Sequence, residues 1–174
     1  ITKYLPSAAG FLIEKEVKFF EPLVTNPQQP FIAIIGGAKV STKIEVLKTL
    51  IPKSSVIVIG GGMAYTFLKA MGHEIGESML EEEFIDTAGD LIKLADDNNV
   101  ELLLPTDHIV AAEFDENAKP EKIDGIDIPE GKLGMDIGPK TIERIRDKIS
   151  SAKSLVWNGP VGVFEFSAFS KGTE

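Results

Sequence analysis

Two lysines, Lys39 and Lys43, follow directly on the glycine pair of "IIGGAKVSTKI". They lie one helical turn apart, where an apolar run ends and a helical pattern begins. A cation at a helix start opposes the helix dipole and costs roughly 0.3–1 kcal/mol. Asp or Glu would suit a helix selected only for stability. Lysines there, beside glycines that let a ligand approach the backbone, have the chemistry of a phosphate-binding turn. The chain carries a formal net charge of −9, so this local cation pair stands against the overall field.

The elements that must position this pair read as an alternation of strands and helices. Residues 7–20 read as a helix capped by Ser7, and "TNPQQP" at 25–30 as a breaker. "FIAII", "SVIVI" and "VELLLP" are continuous apolar runs of the kind found in strands buried on both faces. Helical patterns lie between them, at 40–51 with Val40, Ile44, Leu47 and Ile51 on one face, at "MAYTFLKAMG", and through "EEEFIDTAGDLIKLADDN". "HIVAAEF" is a candidate fourth strand, and 113–131 reads as a surface loop or an edge excursion. "KLGMDIG" and "SLVWNGP" flank a helix that starts at Pro139. This order predicts an α/β fold, a three-layer Rossmann-like parallel sheet with helices on both faces.

In such sheets ligands bind beyond the carboxyl ends of the strands. Five segments belong there: "GGAK", "GGGM", "PTDH", "MDIGP" and "WNGPVG". Glycine occurs in four of them, and Gly62 and Gly134 read as places where a Cβ would protrude into a ligand slot. Two familiar phosphate motifs are not met. The P-loop needs glycine before and Ser or Thr after its lysine, whereas Ala38 and Val40 flank Lys39. The dinucleotide fingerprint fails at Tyr65 in the run from Gly60.

Composition narrows the remaining classes. With 174 residues, 43% of them hydrophobic and 26% charged, the chain has a globular profile and the length of one domain. The absence of cysteine excludes disulfides and thiolate metal sites and is compatible with a cytoplasmic setting. The negative charge argues against nucleic acid and membrane surfaces as partners. No apolar run is long enough to cross a bilayer.

The blocks "IIGGAKVSTKI", "IGGGMAYTFLKAMG", "LPTDHIVAAEF", "KLGMDIGPKTIE" and "VWNGPVGVFEF", in this order, resemble phosphoglycerate kinase, specifically its carboxyl-terminal, nucleotide-binding half. The resemblance covers essentially the whole chain. It implies reversible phosphoryl transfer between 1,3-bisphosphoglycerate and ADP, giving 3-phosphoglycerate and ATP with Mg²⁺, in a glycolytic enzyme that is cytoplasmic and a monomer at full length. It implies that residues 1–24, with "LPSAAGFLIEKEV", form an interdomain helix region, and that 25–174 form a nucleotide-binding domain incomplete at its C-terminal end. Lys39 would approach the transferring phosphoryl group as the catalytic cation, and Lys43 would hold nucleotide phosphate. Gly37, Ala38, Gly61, Gly62, Gly134, Met135 and Gly162 would line the adenine slot, with Met79 as an apolar wall. Asn158, Gly159 and Pro160 would form the turn beside the nucleotide, and Glu165 would accept hydrogen bonds from ribose hydroxyls. His108 reads as a surface or capping residue without a function.

The resemblance also implies a fragment. The family's amino-terminal half holds the basic site for phosphoglycerate, and the family continues beyond "FSKGTE" to an acidic residue near the metal–nucleotide complex. Something is expected to precede Ile1, the fragment alone is expected to be inactive, and no direct protein ligand for Mg²⁺ is identified within it. Two alternatives stand beside this reading: a nicotinamide-dependent oxidoreductase domain, for which the fingerprint fails, and a non-catalytic nucleotide-binding module that kept the fold.

Overall fold

The structure, a computed structural model, describes residues 3–174. Four parallel strands form its centre: β1 (Phe31–Ile35), β2 (Val56–Ile59), β3 (Glu101–Leu103) and, far along the chain, β7 (Ser154–Asn158). Their spatial order is β3-β2-β1-β7. From β1 the chain moves outward on one side to β2 and β3, and it returns on the other side with β7. The strand order thus reverses direction between β1 and β7, the place where ligand sites form at the carboxyl edge of such sheets.

Every residue of β1 and β2 is buried. Their side chains alternate between two cores, as the pleat requires. Phe31, Ala33, Ile35, Ile57 and Ile59 pack on one side with α2 (Ile44–Leu50), α3 (Met63–Ala70) and α4 (Ile85–Asp97). Ile32, Ile34, Val56 and Val58 pack on the other with Ile145 and Ile142 of α5 (Pro139–Ser151). Each such fully buried aliphatic side chain contributes about 1.5–3 kcal/mol. Helices thus cover both faces of the parallel sheet, as the alternation predicts.

Three elements depart from the sequence expectation. β4 (His108–Ala111) does not extend the parallel sheet. It pairs antiparallel with β5 (Glu121–Ile123) and with β6 (Leu133–Ile137) in a separate three-stranded sheet. The reason is connection length: a parallel neighbour needs a crossover of a dozen or more residues, and only a short turn joins β3 to β4. Secondly, the helix expected over 40–51 begins at Ile44, because residues 40–43 form a turn in which Lys43 N–H donates to the Val40 carbonyl at 2.8 Å. Thirdly, the first helix, α1 (Phe11–Thr25), has Gly10 rather than Ser7 at its cap. The Ser7 hydroxyl donates to the Leu5 carbonyl instead. Leu23 of α1 packs against the core, while Phe11 (91% exposed) and Phe19 (67% exposed) face solvent.

One buried acid joins the turn after β3 to the start of α5. Asp107, in the turn after β3, is fully buried. Its carboxylate accepts the N–H groups of Lys140 and Thr141 at 2.9 Å and the Thr141 hydroxyl at 2.7 Å. It therefore caps the first turn of α5 from a distant point in the chain, where free N–H groups need acceptors. Gly138 leaves room for it, since a Cβ there would lie 2.2 Å from the Asp107 carboxyl carbon. Replacing Asp107 with Ala is expected to destabilise the fold by about 2–4 kcal/mol, because three donors lose a charged acceptor. Urea denaturation compared at matched m-values measures it; an unchanged midpoint would show that water satisfies those donors.

Candidate functional site

At the carboxyl edge, three chain reversals meet through their backbones. Gly36 N–H donates to the Asn158 carbonyl at 2.8 Å and Gly37 N–H to the Pro160 carbonyl at 2.9 Å. Gly61 N–H donates to the Val161 carbonyl at 2.9 Å, and Met63 N–H to the Gly37 carbonyl at 3.0 Å. The approach is close enough to demand glycine. A Cβ on Gly36 would lie 2.0 Å from the Pro160 carbonyl oxygen, and Gly61 has φ +68° with Gly37 oxygen 2.5 Å from the Cβ position. Trp157 reinforces the junction by donating its indole N–H to the Gly159 carbonyl at 2.7 Å.

Beside this junction lies a cavity of about 650 Å³. Gly37, Ala38, Gly61 and Gly62 form one side of it, Gly134 and Met135 of β6 another, and Pro160, Gly162 and Glu165 a third. Met79 completes the wall, with its sulfur 3.0 Å from where a Gly62 Cβ would stand. The structure thus gathers ten of the residues expected from the sequence around one apolar concavity. Lys43, Asn158, Gly159 and Lys39 lie outside the lining. The Lys43 ammonium donates to the Asn158 side-chain oxygen, tying the lysine turn to the end of β7. Gly159 has φ +83°, and a Cβ there would lie 2.4 Å from the Gly36 carbonyl oxygen. Lys39 is exposed at the same edge. The first N–H groups of α3 are taken by the carbonyls of Gly37, Gly61 and Gly62, so the positive character of this edge comes from the lysine side chains.

Two expectations change. Gly134 is not glycine to admit a ligand: a Cβ there would lie 1.8 Å from the Tyr65 hydroxyl oxygen. Tyr65, buried in α3, fills that space from behind and itself lines the cavity. His108 is not a surface residue but fully buried. Its ring stands 5.7 Å from that of Tyr65, Nε2 pairs with the Ile126 carbonyl at 2.9 Å, and Nδ1 is unpaired. Burial lowers its pKa and holds it neutral near pH 7.

Sequence reasoning did not select Tyr65, Glu77, Phe114, Leu133, Val161, Val163 and Phe164, which also line the cavity. Phe114 carried a signal, since it is an aromatic residue within an acidic stretch read as a loop, and it stays 65% exposed with its ring tilted against that of Phe166, centroids 5.2 Å apart. A half-solvated aromatic pair at a cavity mouth is suited to a flat ligand. Glu77 looks like an ordinary surface acid in the sequence, and the remaining residues like ordinary core positions.

Asp136 lies under the same site, 2% exposed, holding the Gly172 N–H at 2.8 Å and its neighbour Ile137 N–H at 2.9 Å. A Cβ on Gly162 would lie 2.0 Å from its carboxylate. Burial pushes the Asp136 carboxyl up to about 6, against the two hydrogen bonds that lower it. The folded state therefore keeps a proton that the unfolded chain has already released between roughly pH 4 and 6. Stability from this group is present below that window and lost as pH rises through it. The stability of Asp136→Asn relative to the parent is accordingly expected to improve by up to about 3 kcal/mol between pH 4 and pH 7. Denaturation curves at the two pH values measure the difference, and parallel pH profiles for both proteins would refute the assignment.

Fold and site together define an α/β domain with an apolar cavity and a lysine pair on the carboxyl edge of a parallel sheet. The chain belongs to the phosphoglycerate kinase family, whose model matches residues 1–174. It is 58% identical over 173 residues to phosphoglycerate kinase of Borrelia hermsii (strain HS1 / DAH), covering 99% of this chain and 44% of that protein. It is 54% identical over 168 residues to the enzyme of Lactobacillus delbrueckii subsp. lactis, covering 97% of this chain and 41% of that one. Among solved structures, phosphoglycerate kinase from Coxiella burnetii superposes with a TM-score of 0.90 at 44% identity over 95% of this chain and 42% of its own. The chain spans less than half the length of these relatives. Among the described residues, no helix is long and apolar enough to cross a membrane.

Proposed function

We propose that this chain is the carboxyl-terminal, nucleotide-binding part of a cytoplasmic phosphoglycerate kinase and that its cavity takes the adenine of ADP or ATP. The observation that carries the reading is the juxtaposition of a mostly apolar cavity with Lys43 and Lys39 at one edge of the sheet. A planar base fits between Met79, the glycine junction and Val163, and the phosphates then extend toward the lysines. Glu165, exposed at the mouth, is available to accept ribose hydroxyls. Asn158 holds the Lys43 ammonium in place before a phosphate arrives, and Lys39 is free to meet the phosphoryl group that transfers. Catalysis of this type rests on positioning and charge neutralisation. Magnesium enters as part of the metal–nucleotide substrate, with no protein ligand for it proposed among these residues.

The 1,3-bisphosphoglycerate or 3-phosphoglycerate partner is assigned to the part of the family's length outside this segment. In-line transfer needs donor and acceptor held together with charge balanced on both sides, so the segment alone is expected to bind nucleotide without turning over. Lys43→Ala should weaken ADP binding by roughly 1.5–3 kcal/mol, the cost of one charge-assisted hydrogen bond, and added salt should weaken the parent's binding. Calorimetry reads both effects. Equal ADP affinity in the variant would remove Lys43 from the site, and absence of ADP binding by the parent chain would overturn the reading. A coupled assay with ADP, Mg²⁺ and 1,3-bisphosphoglycerate tests the inactivity. ATP formed by the purified chain and abolished in Lys39→Ala would refute it.

A further inference from the structure

Glu81 is an acid in an unlikely place for a protein that binds phosphate. It sits beside the lysine turn, half-buried, and its carboxylate grips that turn at two points. Ser41 N–H donates to one oxygen at 3.1 Å and the Ser41 hydroxyl to the other at 2.6 Å. Its own N–H is fixed by the Thr66 hydroxyl of α3 at 3.2 Å, and Thr66 is buried. Burial pushes the Glu81 carboxyl up, but the Ser41 side chain, the Ser41 and Val40 backbone N–H groups and the charge of Lys39 outweigh it and hold the pKa below the ordinary glutamate value. The acid is thus ionised near neutrality, with the turn 39–43 wrapped around it.

The segment that ends at Glu81 also reaches the cavity. Glu77 and Met79 line it, and between them the Ser78 hydroxyl accepts the Gly134 N–H at 2.9 Å. One short strap therefore touches the cavity wall and the lysine turn. Within the turn, Lys43 N–H donates to the Val40 carbonyl and the Thr42 hydroxyl to the Lys39 carbonyl, and Glu81 adds the contact that ties Ser41 to a distant part of the chain.

We infer that Glu81 is a positioning residue, which by clamping Ser41 fixes the turn that presents Lys39 and Lys43 to the nucleotide phosphates. The inference rests on the nucleotide reading above. It explains why a carboxylate is tolerated there: its repulsion of phosphate is offset by its grip on the turn and by its attraction for Lys39.

The test compares ADP with adenosine, which has the base and ribose but no phosphate, in the parent chain, Glu81→Ala, Glu81→Gln and Ser41→Ala. If the turn is ordered in only about one molecule in ten without its clamp, apparent ADP affinity falls roughly tenfold. Glu81→Ala should show that loss with adenosine binding unchanged. Glu81→Gln, which keeps an acceptor for Ser41, should recover part of it, and Ser41→Ala should show a smaller loss in the same direction. In ligand-free protein, amide exchange at Ser41 should speed up in Glu81→Ala while the strands stay protected. Equal loss of ADP and adenosine binding would reduce Glu81 to a general structural acid and overturn the inference. Parent-like ADP binding in both Glu81→Ala and Ser41→Ala would overturn it while leaving the nucleotide site intact. A parent chain that binds neither compound would remove the nucleotide site and the inference together.

Discussion

The site depends on backbone touching backbone. Where the strands β1, β2 and β7 end, the peptide groups of Gly36, Gly37 and Gly61 hydrogen-bond to carbonyls of 158–161 with no side chain between them. Buried peptide groups must be paired, and here they pair across loops rather than along strands. This fixes three loops that belong to distant parts of the chain in one rigid arrangement. The cavity, the lysine turn and the Asn158 contact all hang from that junction. Glycine is the chemical precondition: any side chain at Gly36 or Gly61 would separate the loops by more than a hydrogen bond can span.

The junction also distributes work among elements. Because α3 spends its first N–H groups on the loop carbonyls of Gly37, Gly61 and Gly62, and α5 spends its own on Asp107, these helix ends serve cohesion. Positive charge at this edge is left to the side chains of Lys39 and Lys43.

Much of this was legible in the sequence, and for identifiable reasons. β1 and β2 show as unbroken apolar runs because both their faces are covered. The glycine turns and the lysine pair show because their residue types conflict with local propensity. What stayed hidden depends on distance along the chain. The start of α2 moved from 40 to 44 because residues 40–43 close a turn of their own, which Glu81, forty residues on, also contacts at Ser41. β4 left the parallel sheet because a short connection after β3 forbids parallel pairing, a constraint that periodicity does not carry, and β6 pairs with β4. Gly134 was read as glycine so that a ligand could approach, when the missing Cβ makes room for Tyr65, and His108 as a surface or capping residue when its ring is enclosed. A glycine declares that something is close; it does not say what.

Trp157 gives the junction an optical handle. It is the chain's one tryptophan, 41% exposed, and its indole N–H is committed to the Gly159 carbonyl within the turn that carries Asn158 and Pro160. Indole emission responds to the polarity and hydrogen bonding of its immediate surroundings, so its colour and quenching report on this corner of the molecule. Of the two tyrosines, Tyr65 lines the cavity beside His108, whereas Tyr4, exposed ahead of α1, does not line it and provides an internal reference. Local loosening of the loops and cooperative unfolding of the whole domain would consequently separate as distinct spectroscopic events, without a label or an engineered probe.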